Sequence, residues 1–292
     1  MLTALALCRL LHFGATMALF GASAFVLALA PASLARDLTG AIRRLAAVAI
    51  VVAALTALAW LALEAGSMGE GWSDVVNPHR LAAVLTDTAF GEVWRWRLGL
   101  LVILIVALAL GRHDRWAFVA PASALLLASL GLAGHAIMQS GSVGALHRVN
   151  DALHLLAAGA WAGGLVPFVL CLNRFGDSAL QHEALLATRR YSAIGHFIVT
   201  IVVLTGLVNV ALTLHVPPIP FASPYQTLLA AKILLVLAMI AAALFNRYVL
   251  VPRLKDGTGR AVAALKIDSI AEIALAIVVV ALVSAFGLLE PD

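Results

Sequence analysis

Apolar residues gather into eight runs along the chain, separated by short polar stretches. The runs lie near residues 2–30, 42–63, 93–110, 116–138, 149–172, 194–214, 226–245 and 267–288. A helix needs about 20 residues to cross a hydrocarbon core, and each run comes close to that length or exceeds it. Proline and glycine mark the joints, among them Pro31, Pro78, Gly111, Gly141, Pro217, Pro218, Pro252 and Gly257. The pattern predicts an all-α fold: a polytopic membrane protein with an eight-helix transmembrane bundle, one integral membrane domain over residues 1–292. The first run is longer than the roughly 7–15 apolar residues of a signal peptide and contains His12. It is therefore read as a retained span.

Composition agrees and removes other classes. The chain is 63% hydrophobic and 12% charged, about half the roughly 25% charge of a soluble domain. The net charge of +4 forms no basic stripe interleaved with aromatics, which argues against nucleic acid. The basic residues instead favour one set of loops: Arg36, Arg43 and Arg44; Arg112 and Arg115; Arg174, Arg189 and Arg190; Arg247, Arg253, Lys255 and Arg260. The alternate loops hold only Arg80 and Arg148. The bias places the basic loops in the cytoplasm and both termini outside, in the periplasm of a bacterial inner membrane. Cys8 and Cys171 fall near opposite faces of the membrane, too far apart to bridge.

The chain also reads as a duplication. His12 is followed after eight residues by Gly21, and His154 after eight residues by Gly163. Phe90 precedes Arg97 by seven and Tyr225 precedes Lys232 by seven, near the starts of the third and seventh runs. Arg43-Arg44 and Arg189-Arg190 stand before the second and sixth. Residues 1–140 and 141–292 then form two four-helix repeats. An even number of helices per half predicts parallel copies about an axis along the membrane normal.

Ionisable groups inside spans are costly and point to function. His12 and His154 occupy equivalent positions, and two imidazoles at one depth suit a metal ion or the axial positions of a haem. The plainer alternative is a hydrogen bond from each histidine to a neighbouring helix. A second cluster lies at the outer end: His135 and Met138, three apart, then His147, Asp151 and His154, four and three apart on one stripe. Imidazole and thioether suit copper, the sulfur favouring Cu(I). Asp151 is a ligand or the partner that fixes a histidine tautomer. Arg97 and Lys232 either snorkel to headgroups or hold an anion such as a haem propionate or Asp151. Glu272 is a lone carboxylate in an inner half-span, with Arg260 and Lys266 as possible partners. Cys8 and Met17 read as packing. No nucleotide loop, zinc-protease motif, Cys-x-x-Cys pair or serine elbow is present, so nothing points to an enzyme.

The second half carries Asp151-Ala-Leu-His154, Trp161-Ala-Gly-Gly164, Tyr191-Ser-Ala-Ile-Gly195, Thr205-Gly206-Leu207-Val208-Asn209 and Asn246-Arg247, with Gly134-His135 ahead of them. In these motifs the chain resembles the CopD family of copper-resistance and copper-uptake membrane proteins. The resemblance implies an eight-helix inner-membrane protein that handles the copper ion and commonly receives it from a periplasmic CopC-type chaperone. The segments around His12 and His154 are also similar to the HemJ family. That likeness implies the rival, a haem b-binding redox protein with the two histidines as axial ligands. The copper reading loads the ion at His135, Met138 and His147 and passes it to His154 and His12, with only a thin polar path below His154.

Overall fold

A computed structural model describes residues 1–110, 115–132, 141–214, 223–254 and 259–290. The chain forms α1 (Leu2–Ala28), α2 (Ala32–Met68), α3 (Pro78–Asp87), α4 (Ala89–Ala109) and α5 (Trp116–Ala128). In the second half α6 (Gly141–Ala158) and α7 (Leu165–Leu172) are joined by a π turn, Gly159–Gly163. Then come α8 (Gln181–Thr213), α9 (Pro224–Phe245), a second π turn at Asn246–Leu250, the single-turn α10 (Val251–Arg253) and α11 (Gly259–Phe286). Among the described residues there is no strand. This is an all-α polytopic membrane bundle. Six continuous helices are long and apolar enough to cross a membrane, and Trp116–Leu132 is a shorter apolar one. The expected third run is α4, whose first turns carry Glu92, Arg95 and Arg97.

The helices depart from the expected runs for physical reasons. The second run begins ten residues early in the structure, at Ala32, and its helix is 37 residues long, roughly 55 Å at 1.5 Å per residue. Arg36, Arg43 and Arg44 therefore sit on a helical extension and not in a loop. Gln181–Thr213 extends in the same direction past Arg189 and Arg190. Apolar counting stops where charge begins, whereas arginine is a good helix former. Similarly α6 starts at Gly141, so His147 is helical. The amphipathic α3 lies between α2 and α4, where no apolar run marks it. Pro78 opens that helix, and the Asn77 side chain accepts from the backbone N–H groups of His79 and Arg80.

Each π turn precedes a proline, Pro167 or Pro252. Proline has no N–H for the carbonyl four residues back, and its ring crowds that carbonyl. Those positions, Gly163 and Tyr248, lie within the π turns, where the wider turn absorbs the clash.

α1 is the hub, packing on α2, α5, α11 and the first π turn. At its crossing with that turn, Gly21 and Gly163 meet: a Cβ on Gly21 would press on the Gly163 carbonyl carbon, and a Cβ on Gly163 on the Met17 carbonyl oxygen. Small residues let membrane helices approach this closely. Leu19, Leu34, Ile42 and Leu126 fill the first half and are fully buried. The second half is looser. α8 and α9 hardly touch, and two cavities lie between them.

Candidate functional site

The two intramembrane histidines are held by the same bond. His12 Nδ1 lies 2.8 Å from Thr56 Oγ1 on α2, and His154 Nδ1 lies 3.0 Å from Thr205 Oγ1 on α8. Each threonine hydroxyl donates its one proton to its own helix, Thr56 to the Val52 carbonyl at 2.6 Å and Thr205 to the Ile201 carbonyl at 2.5 Å. The oxygen must then accept from the ring, so each histidine carries its proton on Nδ1 and a lone pair on Nε2. Four residues earlier on each histidine helix, another side chain donates to the same threonine's carbonyl. Cys8 Sγ does so at 3.2 Å and Asn150 Nδ2 at 2.9 Å.

The fates of the two lone pairs differ. His12 is fully buried, and its Nε2 accepts from the Arg97 guanidinium. Arg97, also fully buried, donates to the Leu126 carbonyl at 2.9 Å and to Ser129 Oγ at 2.6 Å, fixing α4 to α5. Trp60 and Trp94 close over the ring, with centroids 5.8 and 6.2 Å from it. Trp94 Nε1 in turn donates to the Ala57 carbonyl. Both His12 nitrogens thus have protein partners, and the ring is sealed. These residues do not fit a haem ligated through His12.

His154 has no such plug. Among the described residues its Nε2 has no hydrogen-bond partner, and the ring lines a cavity of about 240 Å³. The same cavity is lined by Lys232, Met17 and Met239, so two of the chain's five methionines share it with one imidazole. Sequence reasoning assigned Met17 to packing and overlooked Met239. The only available signal was the scarcity of methionine.

Lys232 also lies in the electrostatic field of Asp151, and Asp151 in that of His147. Asp151 Oδ1 accepts from Asn209 Nδ2 at 2.9 Å, and Asn209 Oδ1 accepts from Asn150 Nδ2 at 2.6 Å. The structure therefore brings together His147, Asp151, His154 and Lys232 where α6 meets α8 and α9, with His147 buried. His12 and Arg97 form a separate site. His135 and Met138 lie outside the described residues, as does His215. Among the described residues no three His, Cys, Asp or Glu side chains cluster as a metal site. Both cysteines are free and buried.

A second cavity, of about 180 Å³, adjoins the first and shares Trp161 and Ile240 with it. Its polar lining includes His196, Asn246, Arg247 and Glu272. The space beyond His154, toward Glu272, is thus better supplied with polar groups than the run pattern indicated. The π turns place Trp161 and Asn246 there.

Two family models match the chain: copper resistance protein D-like, N-terminal domain, over residues 1–145, and copper resistance protein D over residues 185–286. Over 286 residues the chain is 38% identical to the inner membrane protein YebZ of Escherichia coli K12, covering 97% of each. It is 30% identical over 244 residues to copper resistance protein D of Pseudomonas syringae pv. tomato, 80% of this chain and 78% of that one. The copper transport protein CutJ of Bacillus subtilis matches at 30% over 152 residues, 48% of this chain and 27% of that protein. No solved structure matches significantly.

Proposed function

The chain belongs to the copper resistance protein D family, and from that premise we propose that it handles copper at the bacterial inner membrane, holding Cu(I) at His154. The observation that carries this reading is the His154 Nε2 lone pair, which has no partner among the described residues, in a cavity shared with the Met17 and Met239 thioethers. Soft sulfur with imidazole suits Cu(I). His135, Met138 and His147 load the ion from the outer face, where a periplasmic CopC-type protein supplies it. Asp151 and Lys232 set the charge at the cavity mouth. Both termini are periplasmic, and residues 1–140 and 141–292 are parallel repeats. The shared His–Thr bond, the matched donors Cys8 and Asn150, and the meeting of Gly21 with Gly163 support the repeat reading, and the loop charges support the orientation. In this arrangement the first repeat is structural at His12, and the second carries the ion.

The test is an anaerobic Cu(I) titration of the purified full-length protein against a competing chelator, with an absorption spectrum. One tightly held Cu(I) that is lost in His154→Ala and retained in a folded Arg97→Lys variant supports the reading. A Soret band that vanishes with His154→Ala, or undiminished copper in that variant, overturns it.

A further inference from the structure

The second cavity holds chemistry that the copper site does not use. Asp268 and Glu272 stand one turn apart on α11, and both face the π turn of the seventh span. The Asn246 side-chain amide bridges them, donating to Asp268 Oδ2 at 2.5 Å and to Glu272 Oε1 at 2.8 Å. Glu272 Oε2 accepts from Trp161 Nε1 at 3.3 Å, across from the other π turn. Glu272 is 2% exposed and Asn246 8%. Among the described residues neither carboxylate forms an ion pair. The nearby Arg247 is committed elsewhere, its Nη1 donating to the Ser192 carbonyl at 2.6 Å.

The network is also incomplete. Asn246 Oδ1 is buried and accepts no hydrogen bond from the described residues, though both hydrogens of the same amide are spent on carboxylates. A buried polar atom of this kind calls for a partner, a water or an ion. Glu272 and Asn246 line the cavity of about 180 Å³, which has room for a small ion and water. Every unsatisfied donor atom here is a hard oxygen. Hard oxygen ligands select hard cations and disfavour Cu(I), and intramembrane carboxylates mark ion or proton paths.

We infer that Asp268, Glu272 and Asn246 form a second site, taking a hard monovalent cation, a proton or Na⁺, through the second cavity. The other titratable or charged groups facing it are Tyr191 and His196 from α8 and Arg247 from the second π turn. From α6, α7 and the turn joining them, only the Trp161 N–H reaches it. A role for this site in driving copper movement rests on the preceding proposal; the existence of the site does not.

The experiment uses copper-free full-length protein in nanodiscs, so its failure leaves copper binding at His154 untouched. Infrared difference spectra are taken from about pH 5 to about pH 9, in choline and in Na⁺. The expected result is a titrating carboxyl band that disappears in Glu272→Gln and moves in Asn246→Ala and Asp268→Asn. With a proton alone, Na⁺ leaves the midpoint in place; with competing Na⁺, the midpoint falls by about one pH unit per tenfold increase in Na⁺. Should Glu272→Gln not fold, the other two variants carry the test, since both keep Glu272. No titrating carboxyl band in the wild type, or the same band with an unmoved midpoint in the variants, overturns the inference.

Discussion

Thr205 determines which nitrogen of His154 is free, and replacing it by valine tests that logic. The substitution keeps the branched shape and removes one oxygen. Thr205 now accepts from His154 Nδ1 at 3.0 Å while its own proton is held by the Ile201 carbonyl. Without the oxygen, the ring has two choices. It can keep the proton on Nδ1 with only the Val202 carbonyl left to accept it, losing a hydrogen bond of about 0.5–1.5 kcal/mol. Alternatively the proton moves to Nε2, and copper must displace it. Either route weakens binding, and loss of such a partner typically costs about 10–100-fold in metal affinity. The assay is the competitive Cu(I) titration, with thermal unfolding measured in parallel to show that the variant is folded. Thr205→Ser restores the oxygen and is expected to recover most of the affinity. Thr56→Val makes the same change beside His12, whose Nε2 already bonds Arg97, and should leave copper affinity unchanged. Wild-type affinity in Thr205→Val, or equal losses in both valine variants, would refute the tautomer argument.

Other outcomes follow from particular contacts. Gly21→Ala should destabilise the detergent-solubilised protein by about 1–3 kcal/mol, because the new methyl meets only backbone of the first π turn; Gly14→Ala, with nothing within 4 Å, should be neutral or stabilising by up to about 1 kcal/mol, and equal melting temperatures would contradict the close crossing. Met17→Leu with Met239→Leu keeps the volume and removes both sulfurs, so Cu(I) affinity should fall while thermal stability holds; unchanged Cu(I) affinity would exclude both thioethers as ligands. In the segment between α2 and α3, the Glu70 backbone N–H and the Asn77 side chain hold the Asp74 carboxyl below the usual carboxylate range, with Arg80 adding to them. A lowered folded value means the stabilisation is present above the unfolded pKa near 3.9 and is lost as pH falls through the folded value. The protection of the Glu70 amide, its exchange slowed relative to the intrinsic rate at the same pH, should therefore fall on acidification below about pH 4, and Asp74→Asn should abolish that pH dependence.

The bundle was legible because membrane helices satisfy their own backbone and need only length and apolarity. Hence each expected run meets a helix. Three features were not legible. Helix ends run on through arginines, which apolar counting treats as loop. The two π turns arise from Pro167 and Pro252 acting four residues back, a signal present in the sequence but not read as one. The contrast between the histidines depends on tertiary packing. Arg97 and Lys232 each follow an aromatic residue by seven positions, yet the planar guanidinium bonds the ring beside it, the Leu126 carbonyl and the Ser129 hydroxyl, while the ammonium stays in a cavity. Tryptophans at 60 and 94 seal the first site, whereas Asn209, four residues after Thr205 as Trp60 is after Thr56, leaves the second one polar.

This difference between the two histidine sites has a genetic consequence. In a saturation screen that reads protein abundance and copper tolerance separately, substitutions around His12, Arg97, Trp60 and Trp94 should lower both together, since the membrane quality-control machinery would remove a bundle with an emptied core. Substitutions around His154, Met17 and Met239 should leave abundance normal and lower tolerance alone. Plotted along the chain, the first class would concentrate in the amino-terminal half and the second in the carboxy-terminal half. Met17 would be the exception, an amino-terminal residue behaving as a member of the other half.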